Sequence, residues 1–144
     1  MAKKLHIVGF SGSLRKASYN SALLRAAQEL MPDDAELEII SIADIPFFNE
    51  DVEKDGMPAP VQAFRDTLQA ADAILIAMPE YNYSIPGVLK NALDWASRPD
   101  ANKVMPVSDK PFSVIGASSG AYGTARGQHH LRQTSVNMNM HPLT

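Results

Sequence analysis

Hydroxyl, amide and guanidinium groups are concentrated in one short stretch near the amino terminus, FSGSLRKASYNSALLRAA at residues 10–27. The stretch follows an apolar segment and leads into a helical pattern, so these groups stand where a helix begins. A helix start offers unpaired backbone N–H groups and the positive end of the helix dipole, which suits a phosphate. A cap by Ser18 or Asn20 alone is the alternative, but it accounts for one polar residue and not for six. We therefore predict a phosphate site formed by Ser11, Ser13, Arg15, Ser18, Asn20 and Ser21.

The glycines of this stretch narrow the class of phosphate ligand. A dinucleotide site brings its backbone against the pyrophosphate through G-x-G-x-x-G, and here Gly9 and Gly12 are separated by two residues. The nucleoside triphosphate loop G-x-x-x-x-G-K-[ST] is absent from the sequence as well. A loop rich in side-chain donors around one terminal phosphate favours a mononucleotide over a dinucleotide.

Two further polar loops contain groups that suit a planar ring. In MPEYNYSIPG, residues 78–87, Tyr81 and Tyr83 offer flat walls, and Asn82 offers polar contacts to a ring edge. In GASSGAYGTAR, residues 116–126, small residues allow close approach of the backbone to a second ring edge; they are Ser118, Ser119 and Gly120. Ordinary rim packing is the alternative for the tyrosines. For the glycines of the second loop, a purely structural role in the turn and the helix entry stays equally open.

The hydrophobic period switches repeatedly along the chain and predicts the elements that position these loops. We expect strands at residues 5–10, 37–42, 73–78, 112–117 and 140–144. We expect three helices with the following inner residues: Leu23, Leu24, Ala27, Leu30 and Met31 in the first, Val61, Phe64 and Leu68 in the second, and Val88, Leu89, Ala92 and Leu93 in the third. A last helix is expected over 122–136, and it extends to 137 if no strand begins there. Residues 45–60 are expected to form a loop, with Met138 and Met140 in the core.

This alternation of strand and helix predicts an open, doubly wound α/β domain with a parallel sheet, and one domain over residues 1–144. The segment at 73–78 is apolar at every position, which is typical of a central strand covered on both faces. Ligands of such folds bind beyond the carboxyl ends of the strands. The loops after the first, third and fourth strands are therefore expected to form one site.

Composition limits the classes of partner. The net charge is −3, without a block of like charges, which argues against nucleic acid and anionic membranes. No apolar run approaches the roughly 20 residues that cross a bilayer, and the absence of cysteine agrees with a cytoplasmic protein. His129 and His130 are adjacent and point to different sides of a helix, so no metal site is expected. Small molecules or other chains remain as partners.

Three segments resemble the NAD(P)H-dependent FMN reductases of the flavodoxin-like fold, the group of bacterial quinone, chromate and azo-dye reductases. They are GSLRKASYNSALL, PEYNYSIPGVLKNALDWASRP and GASSGAYGTARGQHHLRQ, and the likeness extends over nearly the whole chain. The resemblance implies strand order 2-1-3-4-5 and FMN phosphate bound by the six residues of the first loop. It also implies an isoalloxazine ring lined by Pro79, Glu80, Tyr81, Asn82 and Tyr83, with Ser118, Ser119 and Gly120 at its other edge.

The activity implied by the resemblance is hydride transfer from NADPH or NADH to flavin N5, then reduction of a quinone, flavin, azo or chromate-type acceptor in a ping-pong cycle. No amino-acid nucleophile or general base is expected. The alternatives are a flavodoxin-type electron carrier and a flavin-binding redox sensor, neither turning over NAD(P)H. Lys90 and Arg126 are candidates to meet a nucleotide phosphate or a partner chain, and the sequence leaves that choice open.

Assembly is implied by the resemblance too, as a homodimer or homotetramer with the flavin near the subunit interface. Family members continue past Thr144 to complete the fifth strand and add a final helix. We therefore expect this sequence to be a fragment that lacks the final helix. Without that helix one face of the sheet would be exposed. The alternatives are that a partner chain covers this face, or that the fold is compromised.

Overall fold

Strands and helices alternate along the protein, whose computed structural model describes residues 3–143. The elements are β1 (Leu5–Ser11), α1 (Tyr19–Glu29), β2 (Ala35–Ile40), α2 (Glu50–Lys54), α3 (Ala59–Ala70), β3 (Ala73–Ala77), α4 (Gly87–Ala96), β4 (Pro111–Ile115), α5 (Ala125–Asn137) and β5 (His141–Pro142). All strand pairs are parallel, and the order across the sheet is β2-β1-β3-β4-β5. The predicted doubly wound, flavodoxin-like fold is confirmed.

The central strand β3 has an apolar surface on each side because both faces of the sheet are covered. Ile74 and Ile76 point into the larger core, which includes residues of α3, α4 and α5. Ala77 points to the opposite face and packs with Leu24 of α1 and Leu37 of β2. Alternation along one strand thus supplies two cores, as the uninterrupted apolar run predicts.

The expected inner faces of the helices are largely confirmed. The core contains Val61, Phe64, Leu68, Leu89, Ala92, Leu93, Met138 and Met140. Leu23 and Leu30 are the exceptions, because Leu23 is half-buried outside both cores and lines an open groove with Tyr19 and Ala117, and because 81% of Leu30 is exposed. The helix α1 ends at Glu29 and Leu30 is its C-cap residue, so it no longer follows the buried helical face.

Several expected boundaries differ from the structure. The second strand lies at Ala35–Ile40 and not at 37–42, the fourth lies at Pro111–Ile115 and not at 112–117, and the last helix begins at Ala125 and not at 122. The segment 45–60, predicted as a loop, contains α2, whose N-cap Asn49 accepts the Asp51 N–H at 2.9 Å. The fifth strand, predicted at 140–144, has two residues, His141–Pro142, while Thr144 lies outside the described residues. Pro142 has no N–H to donate to β4, and the pairing bonds come from the N–H groups of His141 and Leu143.

The chain between β2 and α2 is fastened to α4 through Trp95. The indole N–H of Trp95 and the side-chain amide of Asn91 both donate to the Pro46 carbonyl, at 2.8 and 2.9 Å. The Phe48 N–H donates to Asn91 Oδ1 at 2.8 Å, and the Phe48 ring meets the indole edge-on with 4.9 Å between centroids. Trp95 is completely buried. The role of Trp95 within this chain is therefore packing.

Among the helices that the structure describes, none is both long and apolar enough to cross a membrane.

Candidate functional site

The loops after β1, β3 and β4 meet at the carboxyl edge of the sheet. Backbone pairing continues past the strands, because the Gly12 N–H donates to the Ala77 carbonyl and the Met78 N–H donates to the Ile115 carbonyl, each at 2.9 Å. A cavity of about 130 Å³ lies among the three loops. Its lining residues are Ser13, Arg15, Ser18, Tyr19, Asn20, Pro79, Glu80, Tyr81, Ala117, Ser118 and Ser119. The predicted convergence of the three loops is thus present.

Five of the predicted site residues lie outside that cavity. Ser11 and Ser21 line a larger cavity of about 460 Å³ between α1 and β2, which Ser13 also borders. Asn82 and Tyr83 border an open groove that shares Glu80 with the central cavity, and Gly120 is exposed nearby. The larger cavity contains no residue from the loops after β3 and β4. We therefore take the smaller cavity, at the point where the strand order reverses, as the centre of the site.

The serine hydroxyls of the first loop accept backbone hydrogen bonds and so leave their own hydrogens free to donate. Ser11 Oγ accepts the Ser13 N–H at 3.2 Å, and Ser13 Oγ accepts the Arg15 N–H at 3.4 Å. Ser18 is the N-cap of α1, where its Oγ accepts the Ser21 N–H at 3.3 Å. Each hydroxyl keeps one O–H donor. With the exposed Arg15 guanidinium, this set of donors fits the terminal phosphate of FMN.

Asn20 connects the loop after β1 to the loop after β4. Its side chain is buried, with its Nδ2 donating to the Ala117 carbonyl at 3.2 Å and its Oδ1 accepting the Ala117 N–H at 3.0 Å. The sequence predicted only a phosphate donor at this position. The structure shows a positioning contact with Ala117, and the second amide hydrogen of Asn20 makes no hydrogen bond within residues 3–143.

A tight turn presents the tyrosines of the second loop. Tyr81 and Ser84 exchange backbone hydrogen bonds of 3.1 and 3.0 Å, and the two residues between them, Asn82 and Tyr83, have φ of 51° and 63°. Two positive φ values define a type I′ turn. A tyrosine in this left-handed region is unusual, since its Cβ crowds the backbone. The turn holds Tyr81 and Tyr83 at 45% and 66% exposure, where their rings can serve as flat contact surfaces.

Glu80 caps the helix α5 from outside the helix. The Gly127 N–H, in the first turn of α5, donates to Glu80 Oε2 at 2.9 Å, and the Glu80 side chain is 8% exposed. Within residues 3–143, the N-cap residue Thr124 makes no capping bond of its own. Gly127 allows this approach, because a Cβ there would lie 2.8 Å from Met78 Cε and 3.2 Å from the Ser84 carbonyl oxygen. Glu80 thus joins the loop after β3 to α5.

The third loop contains both exposed polar groups and structurally required glycines. Ser118 and Ser119 are exposed, and Ser118 Oγ accepts the Gly120 N–H at 3.0 Å. A Cβ on Gly116 would overlap the Thr124 side chain. Gly116 therefore serves the packing of the helix entry, whereas the part around Gly120 is open to a ligand.

Arg126 is a functional candidate that the predicted site residues did not include. Its guanidinium lies between the rings of Tyr83 and Tyr122, with 4.2 and 4.8 Å from Cζ to the ring centroids, and Nη1 is 3.8 Å from Glu80 Oε1. From the sequence, Arg126 was a candidate only to meet a nucleotide phosphate or a partner chain, and that choice stayed open. Among residues 3–143, histidine, aspartate and glutamate form no group of three or more that could hold a metal ion.

Comparison with known proteins assigns the chain to a family. The sequence model of the NADPH-dependent FMN reductases matches residues 5–144. An NAD(P)H-dependent FMN reductase of Pseudomonas aeruginosa is 52% identical over 143 residues, covering 99% of this chain and 76% of the relative. A quinone reductase of Escherichia coli is 45% identical over 139 residues, covering 94% and 72%.

A solved structure shows the same relationship. The flavoenzyme FerB, an NAD(P)H:(acceptor) oxidoreductase from Paracoccus denitrificans, superposes with a TM-score of 0.89 at 35% identity, covering 97% of this chain and 75% of that one. The donors of Ser13, Arg15 and Ser18 at the central cavity fit the phosphate of FMN, the flavin that the family's description names. The protein is an FMN-dependent oxidoreductase that uses NAD(P)H, and the chain belongs to the NADPH-dependent FMN reductase family.

Proposed function

We propose that the FMN phosphate binds at the start of α1 and that the isoalloxazine ring lies against the loops after β3 and β4. The phosphate contacts are the hydroxyls of Ser13 and Ser18, the guanidinium of Arg15 and the remaining amide hydrogen of Asn20. Ser11 and Ser21 support this set through their bonds with Ser13 and Ser18. The ring contacts are Pro79, Glu80, Tyr81, Asn82 and Tyr83 on one side, and Ser118, Ser119 and Gly120 on the other.

One observation carries this proposal: a single cavity is lined by the hydroxyl and guanidinium donors of the first loop and by residues of both ring loops. The bonds between Asn20 and Ala117 tie the first and third loops together in advance of ligand binding. Such pre-organisation lowers the entropy cost of holding a cofactor that touches several loops. The contacts of the phosphate and of the ring are then made without rearranging the backbone.

We propose reduction of quinones by NAD(P)H as the activity, through a ping-pong cycle. Bound FMN supplies the ability to take a hydride from NAD(P)H and to pass two electrons to an acceptor. The exposed turn of Tyr81–Ser84 leaves one side of the ring site open, which suits donor and acceptor occupying the same place in turn. Quinone, NAD(P)H and a proton give hydroquinone and NAD(P)⁺. Free flavins, azo dyes and chromate are further acceptors that an open site admits.

The test is an absorption spectrum of the protein reconstituted with FMN, followed by anaerobic addition of NADPH, NADH and then a quinone. Bleaching of the flavin bands by a nucleotide and their return with quinone is the expected result. Parallel lines in double-reciprocal plots would support the ping-pong order. Flavin that binds but stays oxidised in the presence of both nucleotides would contradict the proposed activity and favour an electron carrier.

The phosphate assignment has its own test in Arg15→Ala. Loss of a charge-assisted bond to phosphate weakens FMN binding by roughly ten-fold or more. Arg25→Ala is the matched control, because Arg25 borders the cavity between α1 and β2 and not the central one. Equal FMN dissociation constants for both variants would move the phosphate away from Arg15.

We also propose that residues 1–144 form one domain, and that the protein is a cytoplasmic homodimer or homotetramer. The single domain is supported by the core that β1, β3 and β4 share with α3, α4 and α5. The cytoplasmic location is supported by the lack of cysteine. The assembly is supported by the open edge of the ring site. Light scattering coupled to size-exclusion chromatography gives the subunit number. A monomer at all concentrations would contradict the assembly.

A further inference from the structure

Arg126 lies at the edge of the ring site and contacts two aromatic rings without using its hydrogen-bond donors. The rings of Tyr83 and Tyr122 contact the guanidinium, with 4.2 and 4.8 Å from Cζ to the ring centroids. Cation–π contacts of this kind are made by the face of the guanidinium. Within the described residues 3–143, its N–H groups make no hydrogen bond, and 43% of the side chain is exposed. A planar fork with free donors is suited to an anion.

The charge of Arg126 is only partly balanced by Glu80. The ion pair is long, with 3.8 Å between Nη1 and Oε1, whereas the other carboxylate oxygen accepts the Gly127 N–H at 2.9 Å. That N–H lies at the positive end of α5, so part of the carboxylate's charge is balanced there. Lys90, the other cation considered from the sequence, is paired with Asp94 on its own helix. Arg126 is therefore the better anion-binding group of the two.

We propose that Arg126 binds a phosphate group of NAD(P)H. The inference depends on the proposed function, since it requires the hydride donor to lie over the ring held by the loops after β3 and β4. In NAD(P)H one ribose separates the nicotinamide from the diphosphate, so a nicotinamide at the ring places phosphate near the rim of the same site. A groove of about 480 Å³ lies at that rim, and two of its lining residues, Glu80 and Tyr83, also contact Arg126.

The two arginines of the site then have separate ligands. Arg15 borders the central cavity with the hydroxyl donors of α1, where the flavin phosphate is proposed. Arg126 stands in the first turn of α5 against Tyr83, on the ring side. A quinone is uncharged and gives a guanidinium little to bind. The phosphates of the nucleotide are the anionic groups that the proposed reaction brings to this rim.

The experiment compares Arg126→Gln and Arg126→Lys with the wild-type holoenzyme, using three hydride donors. NADPH and NADH carry phosphate, whereas 1-benzyl-1,4-dihydronicotinamide has none. For Arg126→Gln we expect KM for NADPH, NADH or both to rise roughly ten-fold, while KM for the benzyl donor and the FMN dissociation constant keep their wild-type values. Arg126→Lys is expected to recover part of the loss, because it keeps the charge without the fork.

Calorimetric titration of the oxidised holoenzyme with NADP⁺ and NAD⁺ gives a readout that does not depend on turnover. A loss confined to NADP⁺ identifies the 2′-phosphate as the group bound, and equal losses identify the diphosphate. Arg132→Gln, on the same helix and bonded to the Leu143 carbonyl, is the matched control and should bind both nucleotides as wild type does.

Three outcomes would overturn the proposal. The first is unchanged nucleotide affinity in Arg126→Gln. The second is a parallel rise of KM for the benzyl donor, which would mean that Arg126 shapes the ring pocket. The third is a change in subunit number, which would place Arg126 in a subunit contact. A wild-type holoenzyme that no donor reduces, the benzyl compound included, would instead refute the proposed function itself.

Discussion

Removal of the Glu80 carboxylate is expected to destabilise the fold by releasing the first turn of α5. The bond from the Gly127 N–H to Oε2 is 2.9 Å and the side chain is 8% exposed, so little water is present to replace it. A hydrogen bond to a charged group contributes about 1.5–3 kcal/mol. The Arg126 pair adds at most about 0.5 kcal/mol, because its N–O distance is 3.8 Å and 43% of the Arg126 side chain is exposed to solvent. We expect Glu80→Ala to lower the free energy of unfolding by about 2–3 kcal/mol.

Glu80→Gln tests the hydrogen bond from the Gly127 N–H separately from the negative charge of Glu80. Glutamine keeps an oxygen acceptor for the Gly127 N–H but loses the interaction with the helix dipole, so a loss of about 1 kcal/mol is expected. Urea unfolding of the apoprotein gives the free energies, and hydrogen exchange at the Gly127 amide reports the helix start directly. Glu36→Ala, on the edge strand β2, is the exposed control. A Glu80→Ala variant within about 0.5 kcal/mol of wild type would refute the capping role, since even a surface cap contributes that much.

Three further substitutions test other contacts. Asn20→Ala removes both bonds to Ala117 and should lower the free energy of unfolding by about 2 kcal/mol, measured in urea, while weakening FMN binding. Lys103→Gly should raise the melting temperature through a gain of about 0.5–1 kcal/mol, because Lys103 has a φ of 63° that glycine adopts without strain. The His6 N–H donates to the Asp72 carboxylate and lowers the pKa of Asp72 below its ordinary 3.8. The stability that this bond gives is present above pH 3.8 and lost as the pH falls through the lower folded-state pKa, so Asp72→Asn should flatten the acid limb of unfolding.

Each of these substitutions has a control in the same chain. Asn137→Ala, at an exposed asparagine in the last turn of α5 whose side chain makes no hydrogen bond among the described residues, should leave the stability and FMN binding close to wild type. Asn102→Gly, next to Lys103, should bring no gain in stability. Asp33→Asn, which removes an exposed carboxylate, is the charge-matched control for Asp72→Asn. Equal effects of target and control in any pair would contradict the contact assigned to the target.

The order of elements and the meeting of the three loops follow from local pattern, which is why the sequence predicted them. Period switching distinguishes strands from helices, and the parallel arrangement then brings the loops after β1, β3 and β4 to one edge. The apolar run of β3 already indicated a strand buried on both faces. Hydrophobic periodicity does not locate the end of a helix to the residue. Leu30 fits the period of α1 but lies one residue past its end, and it is therefore exposed.

Contacts between distant residues could not be predicted in this way. Asn20 and Ala117 are 97 residues apart, and Glu80 and Gly127 are 47 apart. The pairing of Glu80 with Gly127 depends on how closely α5 approaches the loop after β3, which Gly127 permits by its missing side chain. The contacts of Arg126 were equally unpredictable, because the two tyrosines that it touches, Tyr83 and Tyr122, come from different loops. The sequence contains these residues, but only tertiary packing brings them together.

The tryptophan that packs the β2–α2 segment against α4 can serve as a fluorescent probe of that contact. Trp95 is the only tryptophan in the chain, and its indole is buried against Phe48 with its N–H bound to Pro46. Selective excitation near 295 nm therefore reads a single environment. Its emission should lie at short wavelength in the folded protein and shift to the red when this segment detaches. Fluorescence can thus follow the undocking of residues 46–48 separately from the loss of helix seen by circular dichroism.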